Sequence, residues 1–370
     1  MKLRRLFLIK MLLLRRRKTL LSELRARLSR GHLQFYPELS GRVAIYRLAC
    51  LIASQTERRI ALVPDYICNV VHCALEEAGF VVEIYQTDRF MEPLLPEITA
   101  RLRRDDVAIL LTASLFGSSA LLPELEKENL RGVIRRSRVH VLVDLCQDIN
   151  LIERLPSGYG DQLSAVVSFN DKSFPGAMGG GILAGFEIPE PSRRFTLREQ
   201  VLLIREMGRK WFAKTCEWVD GRMGGWGKTD RNPLQHPASI PKTFGKHPTS
   251  NIQHQSMHPF THQPIFDYSH CRYFPYTFTP VAIAKIQLVW ALAGLRLLPE
   301  INRRRARFVD AQNHLQKPIF AASAAYLIVE ADAGDLPKCL RRKPSYACPE
   351  DPGRSDRPEL VIVHNPGGFR

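Results

Sequence analysis

From residue 40 onward, apolar and polar positions alternate between two spacings. Ser40-Gly41-Arg42 opens a helical stretch in which Val43, Ile45, Leu48, Ala49, Leu51 and Ile52 supply one apolar face. A short apolar run at 60–64 follows, then a helical pattern over 69–78 closed by Gly79, then a β-like run at 81–85. Residues 107–112 are continuously apolar and end in the loop Ser114-Leu115-Phe116-Gly117. A charged helical stretch spans 122–136, and further buried strands are predicted at 139–143, 165–169 and 181–184. Short apolar strands alternating with helices predict an α/β fold, a mostly parallel sheet covered on both faces.

Late in the chain, 279–298 and 300–315 read as two helices, the second strongly basic through Arg303, Arg304, Arg305 and Arg307. Between the strands and these helices, residues 224–275 lose all periodicity and carry His236, His247, His254, His258, His262 and His270. The spacing of four between His254, His258 and His262 would align them on a helix for a metal. Pro259 interrupts it and no acidic ligand is near, so no metal site is assigned and a long polar loop over a site or subunit interface is expected. The pattern divides the chain into a basic leader (1–33), a large α/β domain (34–223), the polar loop (224–275) and the late helices with a shortened small domain (276–370).

Composition sharpens this reading at one end only. The 370 residues include 53 Lys+Arg against 37 Asp+Glu, a net charge of +16. Residues 1–32 hold 11 basic residues and one acid, Glu23, so +10 resides there and +6 on the other 338 residues. The leader's apolar part, 6–14, is too short to span a bilayer, which takes roughly 20 residues, and the arginines after it do not suit a signal peptide. Two readings stand: a helix packing its leucines on protein, or a basic amphipathic helix on anionic lipid. Nucleic acid is not expected, since no aromatics interleave with the basic residues. Eight dispersed cysteines with no C-x-x-C pair imply reduced thiols and a cytoplasmic setting. Hydrophobic residues at 45% and charged ones at 24% exclude a disordered chain or a polytopic membrane protein.

Candidate chemistry lies at the predicted strand ends. Asp144 closes the run VHVLV, Gln147 lies three residues on, and SFNDKSFPGAMGGG sets Ser168 and Lys172 just after the next strand. Ligands of parallel sheets bind beyond the carboxyl ends of the strands. A lysine there among apolar neighbours can attack a carbonyl, and a nearby acid can keep a heterocyclic nitrogen protonated. Pyridoxal phosphate chemistry requires those two groups. Ser40-Gly41-Arg42 at a helix start would offer backbone donors, the positive end of a dipole and a guanidinium to a phosphate.

These segments resemble the DegT/DnrJ/EryC1/StrS sugar aminotransferases, fold type I pyridoxal-phosphate enzymes, from about Ser40 to about Leu315. SGRVAIYRLACLI is similar to the family's phosphate-side helix, VHVLVDLCQD to its D-x-x-Q signature and SFNDKSFPGAMGGG to its lysine motif. ALVPDYICNVVHCALEEAGFVVEIYQ and TASLFGSS resemble two further segments, and YTFTPVAIAKIQLVWAL with NRRRARFVDAQNHL the paired late helices. The resemblance implies that Lys172 binds the cofactor covalently and moves the proton, and that Asp144 pairs with the ring nitrogen. It also implies that Gln147 lies by the phenolic oxygen, and that Ser168, Gly41 and Arg42 hold the phosphate. It further implies a homodimer moving an amino group from glutamate to a nucleotide-linked keto sugar, for surface polysaccharide or related amino-sugar synthesis. A sugar dehydratase or epimerase keeping the cofactor, and a catalytically silent membrane-associated subunit, are the alternatives. The sequence departs from the family in three ways. Ser168 and Lys172 are four apart, not five, Cys68 falls near the usual ring-stacking aromatic, and only 55 residues follow Leu315, implying an abbreviated small domain.

Overall fold

The computed structural model describes residues 14–65, 67–88, 92–115, 117–169, 177–222, 278–310, 326–330 and 360–364. In chain order the elements are α1 (Arg17–Leu28), β1 (Gln34–Glu38), α2 (Gly41–Gln55), β2 (Ile60–Pro64), α3 (Asn69–Glu77), β3 (Val81–Tyr85), α4 (Leu95–Arg101) and β4 (Val107–Ala113). Then come α5 (Leu122–Leu125), α6 (Glu128–Ser137), β5 (His140–Asp144), two 3-10 turns (Ile149–Arg154, Gly160–Gln162), β6 (Leu163–Ser168), β7 (Gly180–Ala184), α7 (Leu197–Arg222) and α8 (Lys285–Asp310). An antiparallel pair, β8 (Tyr326–Glu330) with β9 (Leu360–His364), follows in the region expected to hold the abbreviated small domain.

Strands β1 to β7 form one sheet in the order β1-β7-β6-β5-β4-β2-β3. The pairs β3–β2, β2–β4, β4–β5 and β5–β6 are parallel, while β7 runs antiparallel to both β6 and β1. Side chains alternate between the two faces of a strand. Val141, Val143, Leu163, Ala165 and Val167 therefore enter one core with Leu20, Leu24, Leu288 and Leu292. Leu142 and Val166 enter the opposite core with Ala44, Ile45 and Leu48. Because both faces are covered, the central strands β4, β5 and β6 are buried along their whole length and read as apolar runs.

The leader resolves in part. Leu20, Leu21, Leu24 and Leu28 of α1 are buried, and α1 lies against β1 and α8. Arg17 donates to the carbonyl of Ile283 at 3.2 Å and pairs with Glu190 at 2.7 Å. This stretch of the leader packs on protein; residues 1–13 lie outside the described residues. Among the described residues no helix is long and apolar enough to cross a membrane.

Two expectations are corrected. The predicted helix over 122–136 is two helices, because Lys127 between them takes an extended conformation (φ -78°, ψ 137°). The two late helices are one, with Pro299 inside it. Proline removes a single intrahelical donor, and residues on both sides of it, Leu288 and Leu292 before and Ile301 and Arg305 after, are buried. Residues 311–315 of the expected second helix, and the polar loop 224–275 with its histidine trio, lie outside the described residues.

Candidate active site

The carboxyl ends of β2, β4, β5 and β6 lie along one edge of the sheet. The antiparallel setting of β7 brings its first residue there too, and β1 ends at the same edge, with Glu38 opposite Gly180 and Gly180 opposite Ser168. Helix α2 starts three residues after β1. Ser40 is extended at the N-cap and its Oγ accepts from the amide of Val43 at 3.3 Å, a hydroxyl serving a first-turn donor. The preceding first-turn amides have no partner within the helix, and the first turn contains no acidic residue. An anion is favoured at such an end.

The predicted residues Gly41, Ser168 and Asp144 converge there, joined by Cys146. A Cβ placed on Gly41 would stand 2.9 Å from Cys146 Sγ, 3.3 Å from Ser168 Cβ and 3.6 Å from Ser168 Oγ. Asp144 Oδ1 accepts from the amide of Cys146 at 2.8 Å. By the alternation along β5 and β6, Asp144 and Ser168 fall on the face that α2 covers. Both are buried, at 8% and 4% exposure, and Gln147 is buried in the turn just after them. Arg42 is half-buried, its guanidinium carbon 5.9 Å from the centre of the Phe278 ring, which also meets Tyr46.

Glycine makes this closeness possible. A Cβ on Gly180 would come within 2.6 Å of the Gly41 amide nitrogen and of the Val167 carbonyl oxygen. A Cβ on Gly181 would enter the Phe35 ring. The triple glycine thus lets the start of α2 rest on β7, and Gly179 adopts a φ of +134°. Lys172 lies outside the described residues, as do the rest of 170–176, Tyr66 and Phe116. The segment containing Lys172 departs and returns at one point, because the Phe169 amide donates to the Gly179 carbonyl at 2.9 Å.

Sequence reasoning passed over four residues. Cys146 has a role only once β5 and α2 are neighbours. Asp65, buried just after β2, accepts from Thr87 Oγ1 at 2.5 Å. Glu38, fully buried, pairs with Arg47, and desolvation pushes its carboxyl up to about 7 against the guanidinium's opposing pull. Gln287, fully buried at the start of α8, bonds to Leu39 and Met178. Cys146, Asp65 and Gln287 lie inside the quoted segments at positions the resemblance gives no role, and Glu38 lies outside them. Cys68, near which the ring-stacking position is expected, is the N-cap of α3 and packs on the second core. Among the described residues no group of three His, Cys, Asp or Glu side chains could hold a metal.

No family model matches the sequence, and neither does any curated protein. Solved structures do. DesV of S. venezuelae, described in complex with a ketimine intermediate, superposes with a TM-score of 0.52 over 95% of this chain and 84% of its own, at 14% identity. This chain folds like DesV. The fold is the type I architecture that the sequence resemblance implies, with its mostly parallel seven-stranded sheet between helices. Helicobacter pylori PseC, an aminotransferase of pseudoaminic acid biosynthesis, is a weaker likeness: 12% identity, TM-score 0.48, 88% of this chain and 74% of that one. An aminotransferase from Psychrobacter cryohalolentis is weaker again: 14% identity, TM-score 0.43, 88% and 71%.

Proposed function

We propose that the protein is a pyridoxal-phosphate-dependent aminotransferase that moves the amino group of glutamate to a nucleotide-linked keto sugar. The observation that carries this reading is the convergence of Gly41, Ser168 and Asp144 at the carboxyl edge of the sheet, on the face that α2 covers. The residues present fit the cofactor. An anion-favouring helix start, with no side chain at Gly41, offers a phosphate its amides beside Ser168 Oγ. A buried carboxylate, Asp144, stands at the neighbouring strand end to pair with a ring nitrogen. When bound, the cofactor supplies an electron sink for carbanion chemistry.

The chain's own residues would do the rest. Lys172 would bind the aldehyde covalently and carry a proton between donor and acceptor carbons, and it is three peptide units from Phe169. The covalent chain alone keeps its Cα within about 11 Å of that residue. Asp144, oriented by the Cys146 amide, would hold the ring proton in place. Gln147 would lie beside the ring, and Arg42 with Ser168 would add to the phosphate seat. Among the described residues Cys50, Cys68, Cys73 and Cys146 form no disulfide, and we extend the reading to a reducing, cytoplasmic setting.

The test is spectroscopic. Protein loaded with pyridoxal phosphate should develop the visible absorbance of a lysine-bound pyridoxal, and Lys172→Ala should lose it. Glutamate should then yield 2-oxoglutarate stoichiometrically in the absence of a sugar. An unchanged spectrum in the lysine variant would sink the assignment, and bound cofactor without 2-oxoglutarate would point to dehydration or epimerisation. We extend the reading to a homodimer and to peripheral contact of the basic residues 1–13 with anionic membrane. A monomeric mass in light scattering would count against the first, and liposome sedimentation that survives removal of those residues against the second.

A further inference from the structure

Gln287 is the second residue after Lys285, where α8 begins, and it is fully buried. Its amide joins three separate stretches of chain. Oε1 accepts from the backbone amide of Ala284 at 3.0 Å, satisfying a donor just before the helix. Nε2 donates to the carbonyl of Leu39 at 3.2 Å and to that of Met178 at 3.3 Å. Leu39 is two residues ahead of Gly41 and the start of α2. Met178 is six residues beyond Lys172 and adjoins Gly179, whose carbonyl accepts from Phe169. The positive-φ backbone of Gly179 passes directly beneath the Gln287 side chain: a Cβ there would lie 3.8 Å from Nε2.

A primary carboxamide has two donor hydrogens and an acceptor on one planar group, and all three are used here. A carboxylate would keep the bond to Ala284 but face two carbonyls with no donor. An apolar side chain would leave Leu39 O, Met178 O and Ala284 N in a buried site without it. Leaving one such group unsatisfied costs about 1–3 kcal/mol.

We infer that Gln287 is a positioning residue that sets the separation between the phosphate seat at the start of α2 and the return of the lysine-bearing loop. This inference rests on the proposed function. Gln287 touches neither, acting through the carbonyls of Leu39 and Met178. It explains what a helix from late in the chain contributes to a site built mainly from residues 38–180. It also accounts for a buried polar group in the first turn of α8.

The experiment uses the full-length chain and two variants. Gln287→Met removes all three bonds at similar volume, whereas Gln287→Glu retains the helix cap and replaces the clamp's donors by an oxygen facing the two carbonyls. Amide hydrogen exchange, measured without added cofactor, should quicken at least tenfold in both variants over peptides covering 39–44 and 177–181. Peptides covering β4 and β5 should not change. In loaded protein, pyridoxal phosphate should bind at least tenfold more weakly, pyridoxal lacking the phosphate should be affected less, and the pH midpoint of the lysine-bound absorbance should move. Unchanged exchange in Gln287→Glu would overturn the clamp, because this variant keeps the cap. Equal weakening toward both ligands with an unmoved pH midpoint would reduce Gln287 to general packing and would also overturn it. If the parent chain takes up no pyridoxal phosphate, the functional reading fails separately, and the exchange data still decide whether the clamp exists.

Discussion

At the scale of single residues, the candidate site is defined by atoms that are missing. Gly41 and Gly180 lie back to back, and their tolerance of a methyl group should differ because their neighbours differ. Around Gly180 the obstacles are backbone: the Gly41 nitrogen and Val167 oxygen at 2.6 Å and the Ser40 carbon at 2.8 Å. None can move without shifting α2 or β6. Around Gly41 the nearest obstacle is a side chain, Cys146 Sγ at 2.9 Å. Overpacking typically costs about 1–3 kcal/mol, so Gly180→Ala should fall at or beyond the top of that range in urea unfolding, and Gly41→Ala nearer the bottom. Removing the thiol should relieve only the second. In a double-mutant cycle, Gly41→Ala combined with Cys146→Ala should lose less than the sum of the two alone, whereas Gly180→Ala with Cys146→Ala should be additive. Additivity in both cycles would mean that Cys146 does not limit the approach of α2. The glycine run itself was legible in the sequence as part of a motif, but its reason was not. A string of letters does not show that Phe35 and the start of α2 come to rest on β7.

At the scale of elements, legibility followed burial. β2, β4, β5 and β6 stood out because a strand covered on both faces has no polar alternation to confuse it with a loop, and β3, a half-exposed edge strand, stood out by its β-branched residues. β1 was missed: it contains Pro37, has a mixed burial pattern and pairs only with β7, as expected of a proline-bearing edge strand. It positions Glu38, Leu39 and Ser40, so the strand hardest to read carries the phosphate side of the candidate site. α7 was missed as well, with Leu197, Val201, Leu202 and Ile204 exposed, so its apolar residues do not mark a single inward stripe. For the leader, the sequence left open whether its leucines face protein or lipid, and the burial of Leu20 and Leu24 decides it for α1. Leu24→Ala should therefore cost about 2–5 kcal/mol, the usual range for a buried leucine, measured as a lower urea midpoint at an unchanged slope. A helix held only by lipid would show no change in that measurement, and this outcome would return α1 to the surface.

At the scale of the whole molecule, two buried ionisable groups act against each other. His140 of β5 is enclosed, its Nε2 3.1 Å from Ser164 Oγ and its ring edge-on to Phe186, and desolvation lowers its pKa from 6.5 to about 4. Between those values the unfolded chain binds a proton that the folded chain refuses, so this group makes stability rise with pH and withdraws it as pH falls. Glu38 does the reverse. Burial raises its pKa from 4.5 to about 7, with Arg47 pulling it down and Glu190 pushing it up, and one oxygen, Oε2, has no hydrogen-bond partner among the described residues. Between 4.5 and 7 the folded chain keeps a proton that the unfolded chain releases, so stability falls as pH rises through that window. Each slope approaches about 1.4 kcal/mol per pH unit and each total is about 3 kcal/mol. From about 4.5 to 6.5 the two slopes have opposite signs and largely cancel. Relative to the parent, His140→Gln should lose stability as pH rises from about 4 to 6.5, the window in which the parent gains it from His140. Glu38→Gln, whose amide still accepts from Arg47, should gain stability relative to the parent from about 4.5 to 7. Urea titrations at half-unit pH steps read both differences directly. If the two variants track the parent in parallel, these groups do not titrate within the fold as their burial requires, and the polar interior beside the phosphate seat is wetter than the packing around Glu38 implies.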